Sequence, residues 1–156
     1  MNGPEFSGEV VTTTTGPNTL EELLATPRDL VVTSDPDLIN LLRDIEQEVK
    51  DDFPNLPFDF HIRLLGNDLG TAGITQNQRP GKVEASQKPL GEILAQIMLQ
   101  ANPDKSASQP SDPNCNLIYV IGPDPESPEN QAVLVTTREA ANQRNIPLPK
   151  IFQTGE

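Results

Sequence analysis

The sequence predicts an α+β fold: a two-layer sandwich in the order β-α-β-β-α-β-β, with two helices packed on one face of a small mixed sheet. Three observations predict it. "LINLLRDIEQEV" and "LGEILAQIMLQA" each carry a single apolar stripe at helical spacing. "FDFHI" alternates apolar and polar side chains, as a strand with one wet face does. "LIYVI" and "AVLVTT" are short, apolar and rich in branched residues, as strands covered on both faces are.

In chain order, residues 1–28 form a flexible N-terminal segment, the domain occupies 29–141, and 142–156 form an extended tail. The segment "GPEF" reads as a cloning remnant, which would make the chain a piece of a larger protein. "NTLEELLATP" predicts two helical turns, capped by Asn18 or Thr19 and stopped by Pro27. Residues 29–32, "DLVV", read as a strand.

The first long helix is predicted to follow Ser34 or Asp35 as cap, with Pro36 in its first turn. Its stripe is Leu38, Leu41, Leu42, Ile45 and Val49. The alternating strand covers 58–63: Phe58, Phe60 and Ile62 point inward, and Asp59, His61 and Arg63 outward. "GNDLGTAGITQNQRPGK" reads as a loop crossing between adjacent strands. "KVEA", 82–85, reads as a weaker strand. The second long helix follows Pro89, with Leu90, Ile93, Leu94, Ile97, Met98 and Ala101 as its stripe.

Residues 102–115 read as a polar loop and 116–121 as an inner strand. Residues 122–131 read as an acidic loop, and 132–137 as a strand pairing with 117–121 in a long-looped hairpin. "REAANQRN" predicts two further helical turns. In the tail, Ile146, Leu148, Ile151 and Phe152 can dock on the core.

Composition narrows the function. The chain has 156 residues, 35% of them apolar, with 16 prolines and a formal net charge of −12. Nucleic acids and anionic membrane surfaces would be repelled, because affinity for both comes largely from Lys and Arg. One cysteine, Cys115, excludes an intrachain disulfide. No apolar run approaches the roughly 18 residues of a membrane helix.

No residue is assigned a catalytic, cofactor-binding or metal-binding role. His61 is the only histidine and lacks a second strong ligand nearby in sequence, so it reads as a strand residue paired with a carboxylate. Asp124, Glu126 and Glu129 place oxygens in one loop, but without the glycine and closing glutamate of an EF-hand loop. "GNDLGTAG" lacks the spacing of a phosphate loop. Cys115 has no activating neighbour in sequence, and no "GxSxG" elbow occurs. Phe58, Phe60 and Tyr119 read as core residues and not as a stacking platform for single strands.

The stretch from Asp29 to Ala141 also resembles a known module: the short domain at the N-terminus of secretins and TonB-dependent receptors, in the version found in large exported proteins of planctomycete-type bacteria. The residues that carry the resemblance are "INLLRDIEQEV", "FDFHIRLL", a loop ending in "AGIT", "PLGEILAQIM", "LIYVI" and "AVLVTTREAA". Segments 102–115 and 122–131 are longer than in the family's common form. The resemblance implies an extracytoplasmic (periplasmic or envelope) setting and no cofactor. It implies an adaptor that binds a protein partner or neighbouring domains of its parent chain.

The expected function is therefore a non-enzymatic interaction module. The alternatives are a small-ligand or metal-binding domain using the acidic loop and residues 66–81, or a structural spacer. Binding by strand addition is expected at an exposed edge, with 29–32 and 58–63 as the candidates.

Overall fold

A computed structural model describes residues 17–75 and 77–154; the Thr tract and "GPEF" lie outside the described residues. Its elements are α1 (Leu20–Ala25), β1 (Pro27–Val32), α2 (Leu38–Asp52), β2 (Ile62–Leu64), α3 (Gly66–Thr71), β3 (Val83–Pro89), α4 (Leu90–Ala101), β4 (Leu117–Asp124), β5 (Ser127–Thr137) and α5 (Arg138–Gln143). A single 3₁₀ turn, Lys150–Phe152, closes the chain. The fold is a small α+β sandwich with the predicted order of strands and long helices.

The strands divide between two sheets where one was expected. β1 and β3 form an antiparallel pair; β2, β5 and β4, in that order, form a mixed sheet with β2 parallel to β5. The pair is closed at one end by Pro27 opposite Pro89, neither of which has an N–H to extend the ladder. A bulge follows Arg28, where the Asp29 carboxylate accepts the Gln87 N–H at 2.7 Å and Gln87 takes φ 51°. Residues 66–81 therefore link strands of different sheets and do not cross between neighbours.

α2 starts later than predicted. Leu38 N–H donates to Gln78 O at 2.7 Å, and Asp37 uses its carboxylate on Asn40 and Asn77 instead of capping. All five stripe residues are buried. α1 and α5 form as expected, with Thr19 and Thr137 hydroxyls accepting from Glu22 N–H and Ala140 N–H.

The strand expected over 58–63 shrinks to Ile62–Leu64. The predicted burial alternation survives, with Phe60 and Ile62 buried and Asp59 exposed. Phe58 to Phe60 have no strand beside them, and Ile62 N–H goes to the Glu46 carboxylate of α2 at 2.8 Å.

α2 lies against β2, and α4 against β3 and β4. One core joins Phe60, Ile62, both helix stripes, β4 and β5, and it also takes in Leu20, Leu23 and Leu24 of α1 and Phe152 of the tail. Each Leu or Ile so buried contributes roughly 1.5–3 kcal/mol, which offsets the marginal stability of helices this short. No helix among the described residues is long and apolar enough to cross a membrane.

The last hairpin differs most from expectation. The acidic loop is absent: β4 runs on to Asp124 and β5 begins at Ser127, so a tight turn replaces ten loop residues. β5 is the inner strand and β4 is an edge.

Candidate interaction site

β4 is buried along nearly its whole length yet pairs on one side only. Its polarity follows from its first residues. Asn116 O accepts Arg138 N–H at 2.8 Å and so faces the β5 side. Leu117 faces the other way: its N–H donates to Asn102 Oδ1 at 3.1 Å, and its carbonyl lies 3.4 Å from Cys115 Sγ. Since strand backbone groups alternate, Tyr119, Ile121 and Pro123 also turn their main-chain groups away from β5. Among the described residues, the outward N–H and C=O of Tyr119 and Ile121 have no hydrogen-bond partner. Pro123 offers a carbonyl alone.

Tyr119 and Ile121 line an open groove of about 540 Å³. Leu24 and Ala25 of α1, Pro89 and Gly91 at the start of α4, and Leu148 and Ile151 of the tail supply its apolar walls. Tyr119 sets the floor. Its hydroxyl donates to Gly91 O at 3.1 Å, and its ring meets Phe152 edge-on with centroids 5.1 Å apart. Burial pushes the phenol up to about 12, so it remains a donor. Gly91 is required by this approach, because a Cβ there would stand 2.8 Å from Tyr119 Oη and 3.3 Å from Leu24 O.

A second cleft, of about 560 Å³, lies between α2 and β2 and is lined by Arg43, Arg63, Asp68, Glu126 and Arg144 among others. Its charges are largely committed to each other. Arg63 reaches Asp124 at 3.1 and 3.2 Å and Glu126 at 3.3 Å. Arg144 grips Asp68 through two bonds of 2.5 and 2.6 Å, and Thr136 Oγ1 donates to Asp68 Oδ2 at 2.6 Å. Among the described residues no cysteine, serine or threonine lines it.

The residues weighed from sequence fall as follows. His61 Nδ1 lies 3.4 Å from Glu46 Oε2 of α2, so the carboxylate beside it is Glu46. Asp124 is buried beneath the turn and accepts Glu126 N–H at 2.9 Å; it does not share a loop with free carboxylates. Among the described residues no group of three His, Cys, Asp or Glu side chains is placed to hold a metal. "GNDLGT" is the helix α3, not a loop. Cys115 is buried, and desolvation raises its thiol to about 11 despite the opposing influence of Arg138. Phe60 and Tyr119 are buried and Phe58 half-buried, so no aromatic platform is exposed. Of the two expected edges, 58–63 is mostly not strand, and 29–32 carries the bulge, although Val31 is 64% exposed there.

The buried carboxylates make stability acid-sensitive. The Arg144 hydrogen bonds hold Asp68 below the usual carboxylate range, with the Thr136 hydroxyl helping and burial opposing. At Asp124 burial pushes upward, but Arg63 and the Glu126 N–H outweigh it and the net shift is downward. A depressed folded value stabilises above the unfolded value near 4 and is lost as pH falls through the folded value. The unfolding free energy should thus fall as pH drops below about 4 and through the depressed folded values of Asp68 and Asp124. Asp124→Asn should cost about 1–2 kcal/mol at neutral pH and make that acid limb shallower, as read by denaturant titration across pH.

Comparison with family models, with characterised proteins and with solved structures gives no match to this chain.

Proposed function

We propose that the protein is a non-enzymatic interaction module that binds an extended segment of a partner by strand addition along β4. The observation that carries this reading is the line of outward backbone groups at Tyr119 and Ile121 on an apolar groove. Buried backbone groups are nearly always paired, and an incoming strand supplies the missing partners. Two residues with both groups free and one with a carbonyl alone suit a segment of about five residues, given a rise of about 3.3 Å each. The bulge twists the alternative edge at β1, which discourages pairing there. The resemblance to the secretin-type short domain fits an adaptor within a longer exported chain, a setting that the resemblance alone supports.

The test is binding of an alternating Val-Thr peptide, followed by fluorescence anisotropy, against two N-methylated forms. Methylating the amides that face β4 should abolish binding, and methylating the alternate amides should leave it intact. Equal binding of both forms would rule out a main-chain ladder.

A further inference from the structure

We infer that a second copy of this chain pairs with β4 edge to edge, antiparallel and two-fold about Ile121, and competes with the partner's segment for the same backbone groups; this rests on the strand-addition reading above. The open part of β4 is short and closed at both ends. Leu117 closes one, because its N–H and carbonyl are taken by Asn102 Oδ1 and Cys115 Sγ. The turn after Asp124 closes the other. Between them Tyr119, Ile121 and Pro123 face outward, and the hydrogen bonds of β5 agree with this. Opposite Ile121, Val133 gives its N–H to His61 O at 3.0 Å. Opposite Tyr119, the Val135 carbonyl accepts Leu65 N–H at 2.9 Å. Both residues turn their main-chain groups toward β2, so their counterparts on β4 turn away from β5.

The three outward residues are spaced evenly about Ile121, so a two-fold axis there returns the open edge onto itself. Ile121 then faces Ile121 of the second copy, and Tyr119 faces Pro123. The two Ile121 residues exchange a pair of hydrogen bonds, and each Tyr119 N–H meets a Pro123 carbonyl. No outward N–H is left without an acceptor. The Tyr119 carbonyl alone lacks a donor, because Pro123 has no N–H. Under-satisfied carbonyls are commoner in folded proteins than orphaned N–H groups, so this register leaves the lesser defect. Half-buried Ile121 packs across the axis against its own counterpart. Moving the axis to Val120 would set Pro123 against Leu117, where Asn102 already stands. Moving it to Gly122 would leave both Tyr119 N–H groups unpaired.

An interface this small is weak, and each copy carries a net charge of −12. The expected dissociation constant is about 0.1–1 mM at about 0.5 M salt, and weaker at about 0.05 M, where the charges are less screened. Dilute chain thus presents the edge to a partner. Crowded chain caps it, which shields an open strand edge from uncontrolled pairing.

The experiment is sedimentation equilibrium of the full chain from about 10 µM to about 1 mM at about 0.5 M salt, with amide exchange followed at both ends of the range. The chain should be monomeric when dilute and about half or more dimeric when concentrated. Over that range the Tyr119 and Ile121 amides should slow about two- to five-fold, while those of Ile118 and Val120 stay unchanged. The Val-Thr peptide should return the dimer to monomer. Ile121→Pro removes the central N–H at an outward edge position, the kind that Pro123 already occupies, and should leave the chain monomeric at about 1 mM. A parent chain that stays monomeric at about 1 mM yet binds the peptide would overturn the inference and leave strand addition standing. A dimer in which the Tyr119 and Ile121 amides exchange as fast as in dilute chain would place the contact elsewhere and overturn it too, as would equal dimerisation of an Ile121→Pro variant with the parent's Tm. Tyr119 and Ile121 amides already protected in the dilute monomer would overturn both readings.

Discussion

Arg138→Met is expected to destabilise the protein by about 3 kcal/mol, a fall in Tm of about 10 °C. Arg138 is 8% exposed, and among the described residues no carboxylate forms an ion pair with its guanidinium. It donates instead to four main-chain carbonyls: Cys115 at 3.2 Å, Phe152 at 2.7 Å, Pro110 at 3.0 Å and Asp112 at 3.2 Å. Three of these belong to the loop before β4 and one to the tail, so a single side chain at the start of α5 ties both to the sheet. Burial pulls its value down from the usual guanidinium range, but the group stays charged. Methionine keeps much of the volume and leaves the four carbonyls without that donor. Lysine, a single point with three donors, cannot reproduce the planar fork, so Arg138→Lys should recover only part of the loss. Thermal melts give the magnitude. Limited proteolysis should cut after Lys150 much faster in the methionine variant. A variant with unchanged Tm would mean that the four contacts contribute nothing net.

Asn102→Asp is expected to cost a comparable 3 kcal/mol or so at neutral pH, although the two side chains have nearly the same shape. Asn102 is 1% exposed and uses its full amide. Oδ1 accepts from Asn116 N–H and Leu117 N–H, both at 3.1 Å, and Nδ2 donates to Asp104 O at 2.9 Å and Asn114 O at 3.0 Å. These bonds close the loop 103–115 on itself and fix where β4 begins. A carboxylate keeps the accepting half and turns a bare oxygen toward two carbonyls. Its folded pKa must then lie above the unfolded value near 4. For a raised carboxyl the folded state binds more protons, so stability rises as pH falls. Between about pH 7 and about pH 5 the variant should regain part of its loss, while the parent protein gains nothing comparable. Denaturant midpoints at the two pH values give the answer. A loss that does not depend on pH would point to altered packing instead of the buried charge.

Both positions show where the sequence stops being legible. The stripes of α2 and α4 stand out because side-chain burial leaves a periodic trace. Phe60 and Ile62 were readable for the same reason, although the backbone there forms only a short ladder. Arg138 and Asn102 leave no such trace: their partners are main-chain carbonyls and amides, and Pro110 lies 28 positions from Arg138. The sequence of β4 reads as an inner strand because side-chain burial on two faces looks the same whether one or both edges are paired. Its edge position is a property of hydrogen bonds, and its polarity shows in Asn116 O accepting Arg138 N–H and in Leu117's contacts with Asn102 and Cys115. Residues 122–131 read as an acidic loop, yet the chain there is mostly strand, and Pro123 takes an outward edge position where no N–H is needed. The glycine-rich start of α3 hid a helix that is held by tertiary contacts, through buried Leu69 and the Asp68–Arg144 pair.

Strand addition at β4 is tested most directly by amide hydrogen exchange, residue by residue, with and without the Val-Thr peptide. In the free protein the Tyr119 and Ile121 amides should exchange at least about a hundred-fold faster than those of Ile118 and Val120, which face β5. Bound peptide should slow the first two and leave the second two unchanged. Tyr119 and Ile121 amides already as protected as their neighbours without peptide, or indifferent to it, would contradict the open edge.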